Sequence, residues 1–415
     1  MIKTKEESNK EERERNMKQS LRYVEPLLTV LGAWPLPPES SSCMKIFQRV
    51  IPVISIFLAL FVICPAFFYV IFKAKGTRRQ MELLSSFING LIQLIKYIIM
   101  LNSMNDIRTL LNEIKNDWLY GTEENRRLFR ENAKIGDRVV SIVAITMYFG
   151  GLCYRTILPL SRGRIILPNN TTIRLLPSST YLPFINEQIT PNYEIIFVLQ
   201  VLSGLFIYTV FSGAIAIMMM ICLHTCSLIR ILTDKLMDLI DKSNTSEEII
   251  QEKIANIVEC HRKIKKFLSK GQLLSEYISF FELLNGTIII GLLGYCVILE
   301  WENHNTVGLM VYITLLATFT FTSYTICSIG QLLLDEVGRL RCQLFYQSNN
   351  FARTCVTLDW YRLPVRKTRY MIMIIFMSSD PIKLTAAKVM DVSLSTFGDI
   401  MKGAMGYLNM LRKVN

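Results

Sequence analysis

The chain has 415 residues, of which 51% are hydrophobic and 19% are charged, and its mean hydropathy is +0.32. A soluble protein of this length carries more charge, so the composition leaves little room for a soluble domain and predicts a membrane protein. The net charge is +12. The ten cysteines lie in apolar segments or in segments predicted to face the cytoplasm, so we expect no extracellular disulfide framework.

Six long apolar segments predict membrane helices. In chain order they are Ile51–Phe72, Met81–Leu101, Val139–Leu158, Ile195–Leu223, Leu283–Leu299 and Thr306–Leu334. Glu82 and Lys96 interrupt the second span, and we expect both side chains to extend toward the lipid headgroups. Arg155 lies close to the predicted outer end of the third. Residues 1–50 are expected to form a cytoplasmic segment before a six-helix region at 51–334.

The last segment, residues 381–415, has helical periodicity of a different kind. Asp380 is a predicted helix cap, and Pro381 occupies the first helical position. Polar and small residues then fall within an arc of about 80°; they are Lys388, Asp391, Ser395, Asp399, Lys402, Gly406, Asn409 and Lys413. An ionisable group facing lipid near the midplane costs about 2.5–3.5 kcal/mol. We therefore expect this stripe to face water inside the membrane, as part of a pore.

Lysine and arginine placement predicts the orientation of the helices. These residues are abundant in 1–49, 102–138, 223–276 and 335–386 and scarce on the other side of the membrane. Because positively charged loops stay in the cytoplasm, the amino terminus is expected inside and the carboxyl terminus outside. Asn169 and Asn170 begin two overlapping sequons in a loop predicted to be extracellular, so both are candidate glycosylation sites.

Amphipathic stretches extend the later spans into the cytoplasm. Thr245 and Glu248 form a capping box, and apolar residues follow at helical spacing from Ile250 to Leu268. Residues 335–380 continue the sixth span as predicted anchor helices. Such helices with apolar faces need partners. Two alternatives remain open: a zone where subunits assemble, and packing of these helices on one another within one chain.

Groups of residues that could bind a metal or catalyse a reaction are scarce in this sequence. Cys222, His224 and Cys226 have a poor spacing for zinc and lie in an apolar segment, so we expect them to be packing residues. The chain has three histidines, and we recognise no clustered carboxylates of a catalytic cleft. The sequence predicts no enzyme, no metal, no cofactor and no nucleic-acid partner.

The residues near the carboxyl end carry a family resemblance. Asp359–Pro364 reads Asp-Trp-Tyr-Arg-Leu-Pro, and Asp380–Lys388 begins Asp-Pro-Ile-Lys-Leu-Thr. Further matches continue through Ser393–Phe397 to Tyr407. These motifs resemble the insect odorant receptors, a family of seven-helix ligand-gated channels. Residues that depart from the family pattern are Met377, Ala387 and Gly406.

The resemblance implies a fold, a function and partners. The fold is an all-α membrane protein with seven transmembrane helices and a cytoplasmic helical anchor. The function is that of an odorant receptor subunit in a tetrameric, non-selective cation channel, which assembles with a shared odorant receptor coreceptor. Its ligand is a small volatile odorant. The implied location is the plasma membrane of olfactory sensory neurons, in contact with membrane lipid.

On this resemblance the last helix lines the pore. The expected pore residues are Asp391, Ser395, Asp399, Lys402, Tyr407, Asn409, Met410 and Val414. A ring of carboxylates at Asp391 and Asp399 favours cations. Alternatively, each carboxylate pairs with Lys388 or Lys402 and only fixes helix packing.

An odorant site is expected to be a small apolar cavity between helices in the outer half of the membrane. Glycines on the third span leave room beside an aromatic wall. The predicted lining residues are Phe87, Leu91, Tyr148, Gly150, Gly151, Tyr154, Leu202, Phe206, Tyr312 and Leu316. Simple packing is the alternative role for each of them.

Three other membrane protein classes are alternatives. A G-protein-coupled receptor has the opposite orientation, and its Asp-Arg-Tyr and Asn-Pro-x-x-Tyr motifs are absent at the corresponding positions. A gustatory-type receptor channel ends with a Thr-Tyr…Gln-Phe signature, where this chain has Gly406-Tyr407 through Leu411-Arg412. A transporter is disfavoured because we find no inverted repeat or paired broken helices.

Overall fold

Long α-helices make up most of the computed structural model, which describes residues 12–18, 21–36, 40–72, 77–166, 172–178, 180–181, 186–241, 247–357, 385–386 and 390–414. The helices are α1 (Val24–Val30), α2 (Ser42–Phe72), α3 (Thr77–Asn102), α4 (Met104–Tyr120), α5 (Glu123–Leu152), α6 (Leu158–Arg162), α7 (Asn192–Asp241), α8 (Glu247–Glu302), α9 (Thr306–Thr357) and α10 (Leu394–Val414). Two short antiparallel hairpins pair β1 (Arg164–Ile166) with β2 (Thr172–Arg174), and β3 (Thr385–Ala386) with β4 (Met390–Asp391).

Within this part of the chain, six helices are long and apolar enough to cross a bilayer. They are α2, α3, α5 with its continuation, α7, α8 and α9, and each contains one of the six predicted spans. The prediction of an all-α, multi-pass membrane protein is therefore confirmed. α10 has 21 residues and is about 32 Å long, which is enough to cross a bilayer, but it is less apolar.

α7 is the central helix of the bundle. Of its most apolar 18-residue window, 89% is buried inside the protein, against 33% for α2 and for α5. Phe211, Ala214, Ile217 and Met218 are fully buried. A helix that is apolar on every side lies in a protein core or in lipid, and here α1, α2, α5, α8 and α9 pack around α7.

Three helices continue far beyond the width of a membrane. α7, α8 and α9 have 50, 56 and 52 residues, so each is about 75 Å long or more, against about 30 Å of hydrocarbon. α4 packs against these extensions. Glu113 of α4 accepts a hydrogen bond from Lys270 of α8 at 3.1 Å. The extensions thus pack partly within one chain, while residues 358–380 of the predicted anchor lie outside the described residues.

Asp117 of α4 joins α7 and α8 at this far end of the bundle. Its Oδ2 lies 3.1 Å from Nε2 of His224, and its Oδ1 accepts a hydrogen bond from Lys263. Burial alone raises the pKa of the Asp117 carboxyl, but the hydrogen bonds and charges of His224 and Lys263 outweigh it and hold that pKa below its usual range. His224 therefore bonds to a carboxylate.

The predicted environment of Lys96 in α3 is wrong. Its side chain is fully buried in the bundle and donates a hydrogen bond to Glu282 of α8, instead of reaching the headgroups. Its Nζ also lies 5.1 Å from the ring centroid of Phe211. The reason is a carboxylate on the neighbouring helix, which is a closer partner than water. The Glu82 side chain lies outside the described residues.

The predicted start of the last helix is also wrong. Instead of starting at Pro381, α10 starts at Leu394, and the β3–β4 hairpin precedes it. Ser393 ends the extended segment because its hydroxyl accepts a hydrogen bond from the Thr396 N–H at 3.4 Å, as an N-cap does. Gly330 of α9 makes room for this turn, because a Cβ there would lie 2.2 Å from the Val392 carbonyl oxygen.

Residues 163–191 connect α6 to α7. The end of the bundle where α7 begins is called the loop end. Gln200 in α7 fixes this connection: its side chain accepts from the Ser178 N–H at 2.9 Å and donates to the Ser178 carbonyl at 3.0 Å. Tyr193 donates to the Leu175 carbonyl at 2.9 Å. The predicted glycosylation sites Asn169 and Asn170 fall outside the described residues.

Candidate functional site

A cavity of about 50 Å³ lies between the membrane helices, in the half of the bundle nearer the loop end. One water molecule needs about 10–15 Å³ of such space, so the cavity has room for several. Five helices line it, with the residues Ser85, Ser86, Asn89, Met147, Gly151, Tyr154, Arg155, Tyr208, Ile289, Leu293, Leu315 and Phe319. Its walls are mainly apolar, with a few hydrogen-bonding groups, as expected for a site that binds small molecules.

Gly151 and Tyr208 form one wall of this cavity by direct contact. A Cβ on Gly151 would lie 2.2 Å from Cζ of the Tyr208 ring, so only glycine lets the ring approach α5 this closely. The Tyr208 hydroxyl donates to the Gly151 carbonyl at 2.8 Å. The room that this glycine leaves is therefore filled by an aromatic ring.

Arg155 lies in a π-helical turn, Cys153–Ile157, that joins α5 to α6. The turn has a local cause. Pro159 has no N–H to donate to the Arg155 carbonyl, and its ring clashes with that carbonyl in a regular α-helix. The Leu158 N–H bonds to the Cys153 carbonyl, five residues back, and not to the carbonyl four residues back as in an α-helix. This wider turn borders the cavity.

The buried guanidinium of Arg155 is held by two hydrogen bonds. Its Nε donates to the Tyr208 hydroxyl at 3.2 Å, and its Nη1 donates to the Gln200 carbonyl at 3.0 Å. Its stem lies against the backbone of α7, where a Cβ on Gly204 would come within 2.4 Å of the Arg155 Cδ. The cation is thus fixed in position.

The structure brings some predicted pocket residues together and separates others. Gly151 and Tyr154 line the cavity. Tyr148, Gly150 and Tyr312 lie directly behind the lining: Tyr148 bonds to Thr209, Gly150 packs on Leu315, and the Tyr312 ring contacts that of Tyr154 at 6.1 Å. The remaining predicted residues pack elsewhere or face outward: Phe87, Leu91, Leu202, Phe206 and Leu316.

Helical phase explains the outward-facing residues. Leu91 and Leu202 are 39% and 45% exposed on the outside of the bundle. Leu91 lies two residues after Asn89, and two residues turn a helix by about 200°, so the two side chains point in nearly opposite directions. Asn89 and Ser85 were missed, although two polar residues four apart in an apolar span mark an inward face.

The exposed face of α10 is a second candidate site. One face of this helix packs on α8 through Ile400, Ala404 and Leu411, which are buried. Gly291 of α8 allows the close approach, because a Cβ there would lie 3.1 Å from the Ala404 carbonyl oxygen. No described part of the chain covers the opposite face.

Most predicted pore residues lie on this exposed face. The Lys402 Nζ lies 3.6 Å from the Asp399 Oδ1, and the side chains of Asp399 and Lys402 are 71% and 82% exposed. Ser395, Tyr407, Asn409 and Met410 are exposed as well. Asp391 lies in β4 instead of α10 and is half-buried; its backbone carbonyl accepts from the Thr396 hydroxyl at 2.6 Å. Val414 ends the helix, and its side chain lies outside the described residues.

A family model described as "7tm Odorant receptor" matches residues 77–405, which is most of the chain. This chain belongs to the odorant receptor family. The membership confirms the resemblance found in the carboxyl-terminal motifs, and the family is one of receptors and not of enzymes.

Individual relatives are distant. The chain is 22% identical to Odorant receptor 10 of Aedes albopictus over 254 residues, and 21% identical to Odorant receptor 13a of Drosophila melanogaster over 241 residues. These matches cover 60% and 57% of this chain, and 63% and 57% of the two relatives, which is less than two thirds of their lengths.

Solved structures share the fold. The olfactory receptor OR5 from Machilis hrabei, in complex with eugenol, matches 96% of this chain and 99% of its own length, with a TM-score of 0.77 and 16% identity. A second structure of OR5 from Machilis hrabei matches with a TM-score of 0.73, also at 16% identity, over 95% of this chain and 98% of its own length.

Proposed function

We propose that this odorant receptor is a subunit of a ligand-gated, non-selective cation channel. A small volatile odorant binds in the cavity between α3, α5, α7, α8 and α9, and the channel opens together with the odorant receptor coreceptor in a heterotetramer. The receptor acts in the plasma membrane of olfactory sensory neurons, with its amino terminus in the cytoplasm.

The exposed face of α10 carries the channel proposal. Asp399, Lys402 and Asn409 lie on one side of a helix long enough to cross a bilayer. Facing lipid, the charged groups cost several kcal/mol in total. Facing water between subunits, they cost little and attract ions. Residues 395–413 of several subunits around one axis therefore form the wall of a pore.

The cavity supports the odorant site. Its apolar walls match an apolar ligand body, and its few donors and acceptors orient that ligand. The related OR5, whose fold this chain shares, was solved with the small volatile eugenol. Gly151, Tyr154 and Tyr208 are the residues of this chain that we assign to the ligand, together with those facing them on α3, α8 and α9.

Expression in oocytes tests this function. Oocytes receive this chain alone, the coreceptor alone or both, and currents to a panel of volatile odorants are recorded under voltage clamp. We expect odorant currents that need this chain and are larger with both subunits. Surface labelling checks that each subunit reaches the plasma membrane in every condition.

The same recordings separate the channel from a G-protein-coupled receptor. A channel opens directly, so its odorant currents persist when G-protein signalling is blocked. Currents that disappear under the block contradict the proposal. The family match over residues 77–405 favours the odorant over the gustatory type of channel.

A further inference from the structure

Arg155 has donors to spare beside the cavity. The residue is 4% exposed, and its two hydrogen bonds go to the Tyr208 hydroxyl and the Gln200 carbonyl. A guanidinium carries five N–H donors. Within the described part of the chain, three N–H groups, on Nη1 and Nη2, therefore have no acceptor.

The charge of Arg155 is likewise without a counterion among the described residues. Lys96 provides the comparison within the same bundle, because its buried ammonium pairs directly with Glu282. No described aspartate or glutamate lies within 4 Å of the Arg155 guanidinium. A buried cation is stable only when it is paired or well hydrogen-bonded, so an additional acceptor at Arg155 is favourable.

The surroundings of Arg155 indicate which kind of ligand would carry that acceptor. The cavity beside it is walled by apolar side chains such as Met147, Leu293 and Phe319. The guanidinium is held in place by Tyr208, by the Gln200 carbonyl and by the close backbone of Gly204. A donor that is fixed before binding adds affinity, because little conformational entropy is lost when the ligand binds.

We propose that Arg155 binds an oxygen acceptor of the odorant, so that this receptor selects small apolar molecules that end in a carboxylate or a carbonyl group. The inference rests on the proposed function, since it places the odorant in this cavity. Hydrogen bonds from a guanidinium to a carboxylate are charge-assisted and can be bidentate. The carboxylate is therefore the stronger of the two ligand groups.

The test compares ligands that differ only in the acceptor. Oocytes with this chain and the coreceptor receive matched sets of acid, methyl ketone and terminal alkene, at chain lengths from four to ten carbons. We expect the half-maximal concentration to be about 10- to 100-fold lower for the best acid or ketone than for its alkene, as one hydrogen bond to a charged group contributes. The lower of the acid and ketone values identifies which oxygen Arg155 prefers.

Substitutions assign this preference to Arg155. Arg155→Met is expected to remove it, raising the half-maximal concentrations of acid and ketone about 10-fold or more and leaving that of the alkene unchanged. Arg155→Lys keeps the charge but loses the planar guanidinium that can bind both oxygens of a carboxylate. We therefore expect this variant to retain part of the preference for acids. Arg127→Met is the matched control, because Arg127 is an exposed arginine on α5, which leads into the turn that holds Arg155.

The outcomes distinguish the two proposals. Odorant currents that favour alkenes, or that keep their preference in Arg155→Met, overturn the role of Arg155 while the proposed function stands. If surface labelling shows that Arg155→Met does not reach the plasma membrane, the Arg155→Lys variant is the test. Preferences for acid and for ketone that are both unchanged in Arg155→Lys then contradict the proposal. A complete absence of odorant currents contradicts the proposed function and this inference together.

Discussion

Gly151 is a residue whose role depends on one contact. The Tyr208 ring lies over its Cα, and the Tyr208 hydroxyl is held on both sides, by the Gly151 carbonyl and by Arg155. The ring therefore cannot rotate away without losing hydrogen bonds. A methyl group at this position has to displace a side chain that is fixed, and overpacking of this kind is destabilising.

We predict that Gly151→Ala lowers the stability of the receptor by about 1–3 kcal/mol, despite the better helix propensity of alanine. The measurement is thermal unfolding of the purified chain in detergent. Gly338→Ala on α9 is the control, since a Cβ there meets nothing within 4 Å, and we expect it to leave stability unchanged or raise it. Equal unfolding midpoints for the two variants would show that the Tyr208 ring gives way.

The sequence predicts which residue types lie near the cavity better than it predicts the direction in which each side chain points. Of the residues expected at a pocket, Gly151 and Tyr154 line the cavity, and Gly150 packs behind it on Leu315. Leu91 and Leu202 face outward. The span of Leu202 is largely apolar on every side and gives little signal of helical phase, whereas the span of Leu91 carries one in Ser85 and Asn89. Arg155 was assigned to the end of a span, although its acceptors, Tyr208 and Gln200, lie on another helix. Contacts between helices are not encoded locally.

Between elements, a polar ladder joins α3 to α8 inside the bundle. Asn285 donates to the Asn89 side chain at 3.1 Å, and Gln93 donates to the same oxygen at 3.3 Å. Lys96 and Glu282 continue the ladder with a buried ion pair. Asn89 also lines the cavity, so the ladder connects the candidate ligand site to α8, the helix on which α10 packs.

We predict that Lys96→Met costs about 3–5 kcal/mol, because it leaves the Glu282 carboxylate buried without a partner. The double variant Lys96→Met with Glu282→Gln should recover much of that loss. A double-mutant cycle on unfolding in detergent measures the coupling. Breaking the exposed pair of Arg127 and Glu131 by Arg127→Met is the control, and we expect it to change stability by about 1 kcal/mol or less. Equal losses in Lys96→Met and the double variant contradict a coupled pair.

Element boundaries divide into those that local sequence specifies and those that it does not. The six apolar spans and the continuation of α7, α8 and α9 follow from composition and helical spacing. The start of α10 does not, because Asp380-Pro381 is a strong capping signal that the chain does not use to start this helix. The real start depends on the β3–β4 hairpin and on the close contact with Gly330, which is 62 residues before Val392.

At the scale of the whole molecule, the polar side of α10 is the candidate for the surface that faces ions. The single chain leaves the polar side of α10 uncovered by its described elements, as expected if other subunits and water complete the surroundings. Asp399 and Lys402 lie close enough for an ion pair on that side. Two roles are then distinguishable: charges that ions meet in a pore, or a pair that only fixes the helix.

We predict that Asp399→Asn lowers the preference of the assembled channel for cations, while Lys402→Gln raises it, because a ring of carboxylates attracts cations and a ring of ammonium groups repels them. The measurement is the reversal potential of odorant currents in oocytes with both subunits, as external sodium chloride is diluted. Shifts of opposite sign in the two variants place both charges in the ion path. Shifts of the same sign, or none, mean that the 3.6 Å pair acts on helix packing alone. Since both side chains are mostly exposed and the pair is screened by water, its loss has little effect on stability, so a change in permeation reports on the pore itself.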